Sequence, residues 1–194
     1  MSGSFEEIRR HLEESARVKR AFSNVLVSRI QQLAEKTVSG LRAGGKLVLF
    51  GNGGSASDAQ HLAAELVVRL YADRPGLPAL ALTTNTSVLT AAGNDYGFDQ
   101  IFSRQIDSLV SSKDVLVALS TSGNSPNVLR GVEAGRARGA FLAAMTGETG
   151  GALAEKVDLL LNVPSRDPQR IQEAHITIGH IVCSLIEKSL FPKP

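Results

Sequence analysis

Two stretches of this sequence gather groups that hold anions, and two others gather groups that move protons. The first anion-type stretch is Phe50-Gly51-Asn52-Gly53-Gly54-Ser55-Ala56. Its glycines let the backbone approach a ligand closely, with the N–H groups of the following helix start turned toward it. The second is Leu119-Ser120-Thr121-Ser122-Gly123-Asn124-Ser125-Pro126. Pro126 suits the first position of a helix, which puts Ser125 or Asn124 at its cap. The hydroxyls of Ser120, Thr121, Ser122 and Ser125 then meet free backbone N–H groups where the helix dipole favours negative charge, so a phosphate can bind without a charged side chain. An ordinary capped turn needs one serine, and four hydroxyls in six residues favour the phosphate.

The proton-moving candidates are less determined. His61 and Glu65 are four residues apart among alanines and leucines, and on a helix they share a face. A carboxylate on a partly buried face has a raised pKa and can accept a proton near neutrality. The same spacing suits two ligands of a divalent metal. On spacing alone, a plain surface His–Glu pair is the simpler reading. Near the C-terminus, Gln172, Glu173, His175 and His180 stand in an otherwise apolar helix. His175 shares a stripe with Ile171, Ile178, Val182 and Leu185, which fits a core histidine, and spacing does not choose between His175 and His180.

The glycine stretch also matches G-x-G-x-x-A, but a dinucleotide site needs an acidic residue about twenty residues on, at the end of the second strand. There the chain reads Leu82-Thr83-Thr84-Asn85. That reading is set aside, as is a P-loop, whose lysine is missing.

These residues need a scaffold, and 194 residues at 43% hydrophobic suffice for one domain with a core. Helical spacing runs from Phe5 to Ala43 as one long lead, closed by Gly44-Gly45. Strands are expected at 46–50, 79–82, 114–119, 140–145 and 159–163, with helices at 57–70, 87–92, 98–110, 126–139 and from 167 or 168 to about 190. Alternation of this kind predicts an α/β fold, a three-layer αβα sandwich on a five-stranded parallel sheet. Residues 1–45 are expected to form a helical segment that partly covers a neighbouring subunit, and 46–194 the α/β core. With 21 Lys+Arg against 19 Asp+Glu there is no basic stripe, so no nucleic-acid partner is expected. The single Cys183, in an apolar run, reads as a small core residue in a reducing compartment. No apolar run reaches membrane length and no signal segment opens the chain, so a cytoplasmic location is expected.

The order of these motifs resembles the sugar isomerase (SIS) domain family over nearly the whole length. The residues that carry it include Gly51-Asn52-Gly53-Gly54-Ser55, Asp58-Ala59-Gln60-His61, Glu65, Arg74-Pro75 and Gly93-Asn94-Asp95-Tyr96-Gly97. They continue with Phe102-Ser103-Arg104-Gln105, Ser120 to Ser125, Thr146-Gly147, Arg170-Ile171-Gln172-Glu173 and Gly179-His180. The resemblance implies Glu65 as the base that takes a proton beside a carbonyl and His180 as its acid/base partner. It implies a phosphate cradle of Ser120, Thr121, Ser122 and Ser125, and sugar contacts from Asn52, Gly53, Gly54, Glu65, Asn94, Asp95 and Gln172. It also implies a zinc ion held by His61, Glu65, Gln172 and His180, and a homotetramer with sites across subunit boundaries. The implied reaction is an aldose–ketose isomerisation of sedoheptulose 7-phosphate to D-glycero-D-manno-heptose 7-phosphate, the first step toward nucleotide-activated heptoses of lipopolysaccharide or other surface glycans. Some members carry Asp where this chain has Gln169, which puts an auxiliary acid there in doubt. Two rivals remain at this point: a non-catalytic SIS protein that binds a replication initiator, against which Glu65 and His180 both speak, and an SIS isomerase or sensor for another sugar phosphate.

Overall fold

The computed structural model describes residues 2–192. Its centre is one parallel sheet of five strands, β1 (Leu47–Gly51), β2 (Ala79–Ala81), β3 (Val115–Ser120), β4 (Phe141–Thr146) and β5 (Leu159–Asn162). Their spatial order is β2-β1-β3-β4-β5. The chain therefore winds outward in one direction from β1 and in the other from β3, with β1 and β3 in register from Leu47↔Val115 to Gly51↔Leu119. A parallel sheet reverses its winding at such a point and leaves a crevice beyond the carboxyl ends of the two central strands. The glycine loop leaves β1 there, and the hydroxyl loop leaves β3.

Both faces of the sheet are covered, which is why β1 and β3 are buried at every position. Leu47, Leu49, Val115, Val117, Leu119, Ala143 and Met145 pack on one side against α2 (Asn24–Arg42), α3 (Gly54–Val67) and α7 (Pro168–Leu190). The alternate residues Val48, Phe50, Leu116, Ala118, Leu142 and Ala144 pack on the other, against α4 (Thr86–Tyr96), α5 (Ser103–Leu109) and α6 (Pro126–Ala137). This is the expected three-layer sandwich, and each of the five expected strands is present.

The helical lead is not continuous. It divides into α1 (Ser2–Arg20) and α2, because Ser23 leaves helical geometry and its hydroxyl accepts the Leu26 N–H as an N-cap. Helix α2 buries Leu26, Ile30, Leu33, Ala34 and Val38 in the body of the domain, whereas α1 leaves Phe5, Ile8 and Leu12 more than 60% exposed. Helix α3 starts at Gly54, three residues before the expected Ser57, and ends at Val67. Cys183 is buried and its thiol is pushed up to about 12, chiefly by burial and further by Glu65, so it is an inert core residue as expected. No described helix is long and apolar enough to cross a membrane.

Candidate active site

Helices α3 and α7 bring the proton-moving candidates together from distant parts of the chain. His61 and Glu65 lie one turn apart on α3, with His61 Nε2 3.3 Å from Glu65 Oε1. His180 on α7 places its Nε2 2.8 Å from the Nε2 of His61, the rings meeting edge to face. The two nitrogens thus converge on one point, close enough for a shared proton or a common ion. Gly179 makes the approach possible. A Cβ there would run into the side chain of Leu62 on α3, so any larger residue would push His180 away from Glu65. The Glu65 side chain is only 19% exposed. A plain surface His–Glu pair is thus replaced by a three-residue cluster whose ligand atoms all lie within 4.8 Å of one another. Two imidazole nitrogens and a carboxylate oxygen so placed are a donor set that suits a divalent metal ion.

His175 is separated from His180 by its surroundings. It is fully buried, and its Nε2–H donates to the Thr146 carbonyl at 3.2 Å while Nδ1 has no partner. Burial holds its pKa down to about 4, against the smaller opposing effect of the Thr146 bond. His175 is a neutral core residue. Asp58, which motif reading left without a role, stands one turn before His61 on α3. Its Oδ2 is buried without a hydrogen-bond partner, and burial raises its carboxyl to about 6 despite the opposing pull of His61. In the sequence it looks like an ordinary acid near a helix start. Only its burial in the fold distinguishes it.

The hydroxyl loop is pre-shaped. The Ser120 hydroxyl accepts the Gly123 N–H at 3.1 Å and lies 3.5 Å from the Ser125 hydroxyl. The Ser122 hydroxyl accepts the Asn124 N–H at 3.2 Å. Ser125 is the N-cap residue of α6, yet its side chain makes no capping bond, and its hydroxyl lies instead beside that of Ser120. Thr121 is tied from below, its carbonyl accepting the Gly147 N–H at 3.0 Å. Gly123 has φ +68°, and a Cβ there would collide with the Gly150 carbonyl, so the loop can sit on the 150–152 segment only with glycine at this position.

The glycine loop faces this cradle across the switch point. Gln172 of α7 lies over it, its side-chain amide against Gly54. Asn52 does not turn its side chain to the crevice. Its amide forms a two-way pair with Asn127 in the first turn of α6. Asn127 was not singled out in the sequence, where it is only the polar residue after Pro126.

Asn94 and Asp95 are not gathered. They lie exposed at the end of α4, Asn94 donating to Asp95 at 2.8 Å, and among the described residues no hydrogen bond links them to the cradle or to the cluster. Gln169 is exposed in the first turn of α7, where its side-chain oxygen meets Arg170.

With this geometry in hand, the similarities to known proteins are direct. The SIS domain model matches residues 10–147. The phosphoheptose isomerase of Geobacter sulfurreducens is 52% identical over 187 residues, covering 96% of this chain and 99% of that protein. That of Burkholderia pseudomallei (strain 1710b) is 52% identical over 168 residues, covering 87% and 85%. Among solved structures, the phosphoheptose isomerase from Francisella tularensis superposes with TM-score 0.92 at 39% identity, covering 95% of this chain and 98% of that one. The corresponding protein from Neisseria gonorrhoeae superposes with TM-score 0.89 at 46% identity, covering 94% and 98%. The chain belongs to the SIS domain family and, within it, stands among the phosphoheptose isomerases.

Proposed function

We propose that this chain isomerises D-sedoheptulose 7-phosphate to D-glycero-D-manno-heptose 7-phosphate through an enediol, with Glu65 and His180 as its acid–base pair. The observation that carries the reading is the meeting of a partly buried carboxylate with an imidazole from another helix, in a fold that also presents a loop of four hydroxyls at a helix N-terminus. Aldose–ketose isomerisation needs those two things. The phosphate binds far from the reacting carbons and supplies orientation, while the chemistry consists of proton transfers between adjacent carbons and their oxygens.

In the ketose, C2 carries the carbonyl and C1 is the neighbouring CH2OH. The Glu65 carboxylate takes a proton from C1 as a proton passes from His180 to the C2 oxygen, which gives the enediol. His180 then accepts the C1 hydroxyl proton and Glu65 returns its proton to C2, forming the aldehyde at C1. No proton is gained or lost overall. His61, 2.8 Å from His180, fixes the ring that must alternately give and take. Ser120, Thr121, Ser122 and Ser125 with the α6 N-terminus hold the phosphate. The backbone of Asn52, Gly53 and Gly54, together with Gln172, lines the sugar. His61, Glu65, Gln172 and His180 would hold a zinc ion, which when bound supplies positive charge to stabilise the enediolate.

Asn94 and Asp95 reach a sugar from a neighbouring copy in this reading. The assembly is a homotetramer with sites shared between subunits, supported by the exposed apolar residues of α1 and by the lack, among the described residues, of any hydrogen bond from the Asn94–Asp95 pair to the cradle.

The test is to incubate the purified protein with sedoheptulose 7-phosphate and follow the sugar phosphates by NMR, with hexose phosphates run in parallel. Formation of the aldose heptose 7-phosphate alone is expected. Turnover only of a hexose phosphate, or of none, sinks the assignment. Chelator treatment should lower the rate and added zinc restore it, and an unaffected rate removes zinc from the reading.

A further inference from the structure

We propose that Asn127 is a positioning residue whose two-way amide pair with Asn52 fixes the span between the hydroxyl-rich loop and the His61–Glu65–His180 cluster, and through that span the length of sugar phosphate the site turns over. The choice of substrate rests on the function proposed above. The contact itself stands on its own geometry.

Asn52 Nδ2 donates to Asn127 Oδ1 at 2.9 Å, and Asn127 Nδ2 donates back to Asn52 Oδ1 at 2.9 Å. Two amides joined edge to edge in this way fix both a distance and a relative rotation, which a single hydrogen bond does not. Asn127 is only 2% exposed, so its half of the pair is closed to water. An asparagine in the first turn of a helix commonly serves the backbone of that turn. Asn127 makes no such bond among the described residues, since both of its side-chain polar atoms go to Asn52.

The two partners sit where a spacer between binding loops has to be. Asn52 is the first residue beyond β1, at the root of the glycine loop, and Asn127 is the second residue of α6, whose N-terminus carries the hydroxyl loop. The pair therefore bridges the switch point between the central strands. The far side of the glycine loop is braced by Gln172 against Gly54, and α7 carries Gln172 together with His180. Glycine loop, α7 and acid–base cluster thus form one rigid side of the crevice. The cradle forms the other, and the Asn52–Asn127 pair ties them together.

A sugar phosphate gripped at its phosphate and attacked at its far carbons is sensitive to that tie, because a displacement of about 1 Å at the reacting end lowers turnover about 10²-fold. A bare phosphate is indifferent to it, for it touches one side only. The commitment of Asn52 has a corollary. Its contact with sugar is made by its backbone, and its side chain works through Asn127.

The test uses full-length Asn127→Ala and Asn127→Leu, the second filling the vacated space. In both, kcat on sedoheptulose 7-phosphate should fall by about 10-fold or more while the inhibition constant of inorganic phosphate stays within about threefold. Discrimination against hexose phosphates, which the wild type is expected not to turn over, should relax as well. If the pair acts as a unit, Asn52→Ala/Asn127→Ala should be no slower than the worse single variant. Unchanged kcat overturns the proposal, as does a loss matched by equal weakening of inorganic phosphate, or strict additivity in the double variant. Two readouts do not depend on turnover. The Asn52 Nδ2 proton bonded to Asn127 should exchange slowly in the wild-type protein, and the Gly53 and Gly54 amide resonances should move in Asn127→Leu. Rapid exchange sinks the proposal even if no variant folds. A wild-type protein inert toward sedoheptulose 7-phosphate but protected at Asn52 would overturn the substrate assignment and leave the pair standing.

Discussion

Glu65 and His175 show how surroundings sort chemically similar groups. Glu65 is partly exposed and touches His61, so Glu65→Gln, which keeps the shape and removes the proposed base, should lower turnover by about 10²-fold or more. Activity within a few-fold of wild type would remove Glu65 from the base role. His175 is neutral and sealed. Its folded pKa of about 4 lies below the ordinary value of 6.5, so the unfolded chain binds more protons between those limits. Stability from this residue is complete above pH 6.5, declines as pH falls and is exhausted near pH 4. Relative to His175→Gln, the wild type should thus lose about 2 kcal/mol of its advantage between pH 7 and pH 5. Urea midpoints at the two pH values check this, and parallel midpoints would sink it. The choice between His175 and His180 was not legible in the sequence. Both stand in an apolar helix, and only the position of α3 and of Thr146 tells which one is enclosed.

Secondary elements were largely legible because each strand is a short apolar run bounded by turn residues. The errors fall at helix boundaries: α3 stops at Val67 and not at 70, α4 runs on to Tyr96 and not to 92, and the helix expected over 98–110 is a 3-10 turn, Phe98–Gln100, followed by α5. Helix α3 begins on Gly54 with no side-chain cap to announce it, and the break before α2 rests on one capping serine inside an unbroken apolar rhythm. Nothing local reveals what holds α3 against α7. The Arg74 guanidinium, with its side chain 1% exposed, donates through Nε to Glu187 Oε2 at 3.0 Å, through Nη1 to the Leu66 carbonyl and through Nη2 to the Glu65 carbonyl. Burial raises the Glu187 carboxyl, but the N–H groups of Ala72, Leu70 and Tyr71 and the Arg74 bond outweigh this and hold it below its usual value. Breaking a buried pair costs about 3–5 kcal/mol, so Arg74→Leu should unfold at much lower urea and, where folded, show a reduced kcat because Glu65 loses its backbone anchor. A variant equal to wild type on both counts refutes the link. At the cradle, Ser122→Ala should raise KM with little change in kcat, and an unchanged KM argues against a phosphate contact there.

The whole molecule is more than one copy in the proposed reading. Phe5, Ile8 and Leu12 make one exposed apolar face of α1 at helical spacing. Light scattering should give about four times the 20.6 kDa chain mass, and Leu12→Glu should shift it downward with loss of turnover. A wild-type mass of one chain sinks the tetramer. That Asn94 and Asp95 bond to each other and, among the described residues, not to the cradle was invisible in the sequence, because a linear motif carries no three-dimensional address. The pairing of His61 with His180 across 119 residues has a temporal consequence. At a ribosomal pace of about 5–20 residues per second, α3 emerges roughly ten seconds before the histidine it must meet. A nascent chain can therefore lay down its sheet before the cluster exists, and in the proposed reading catalytic competence is among the last properties the polypeptide acquires.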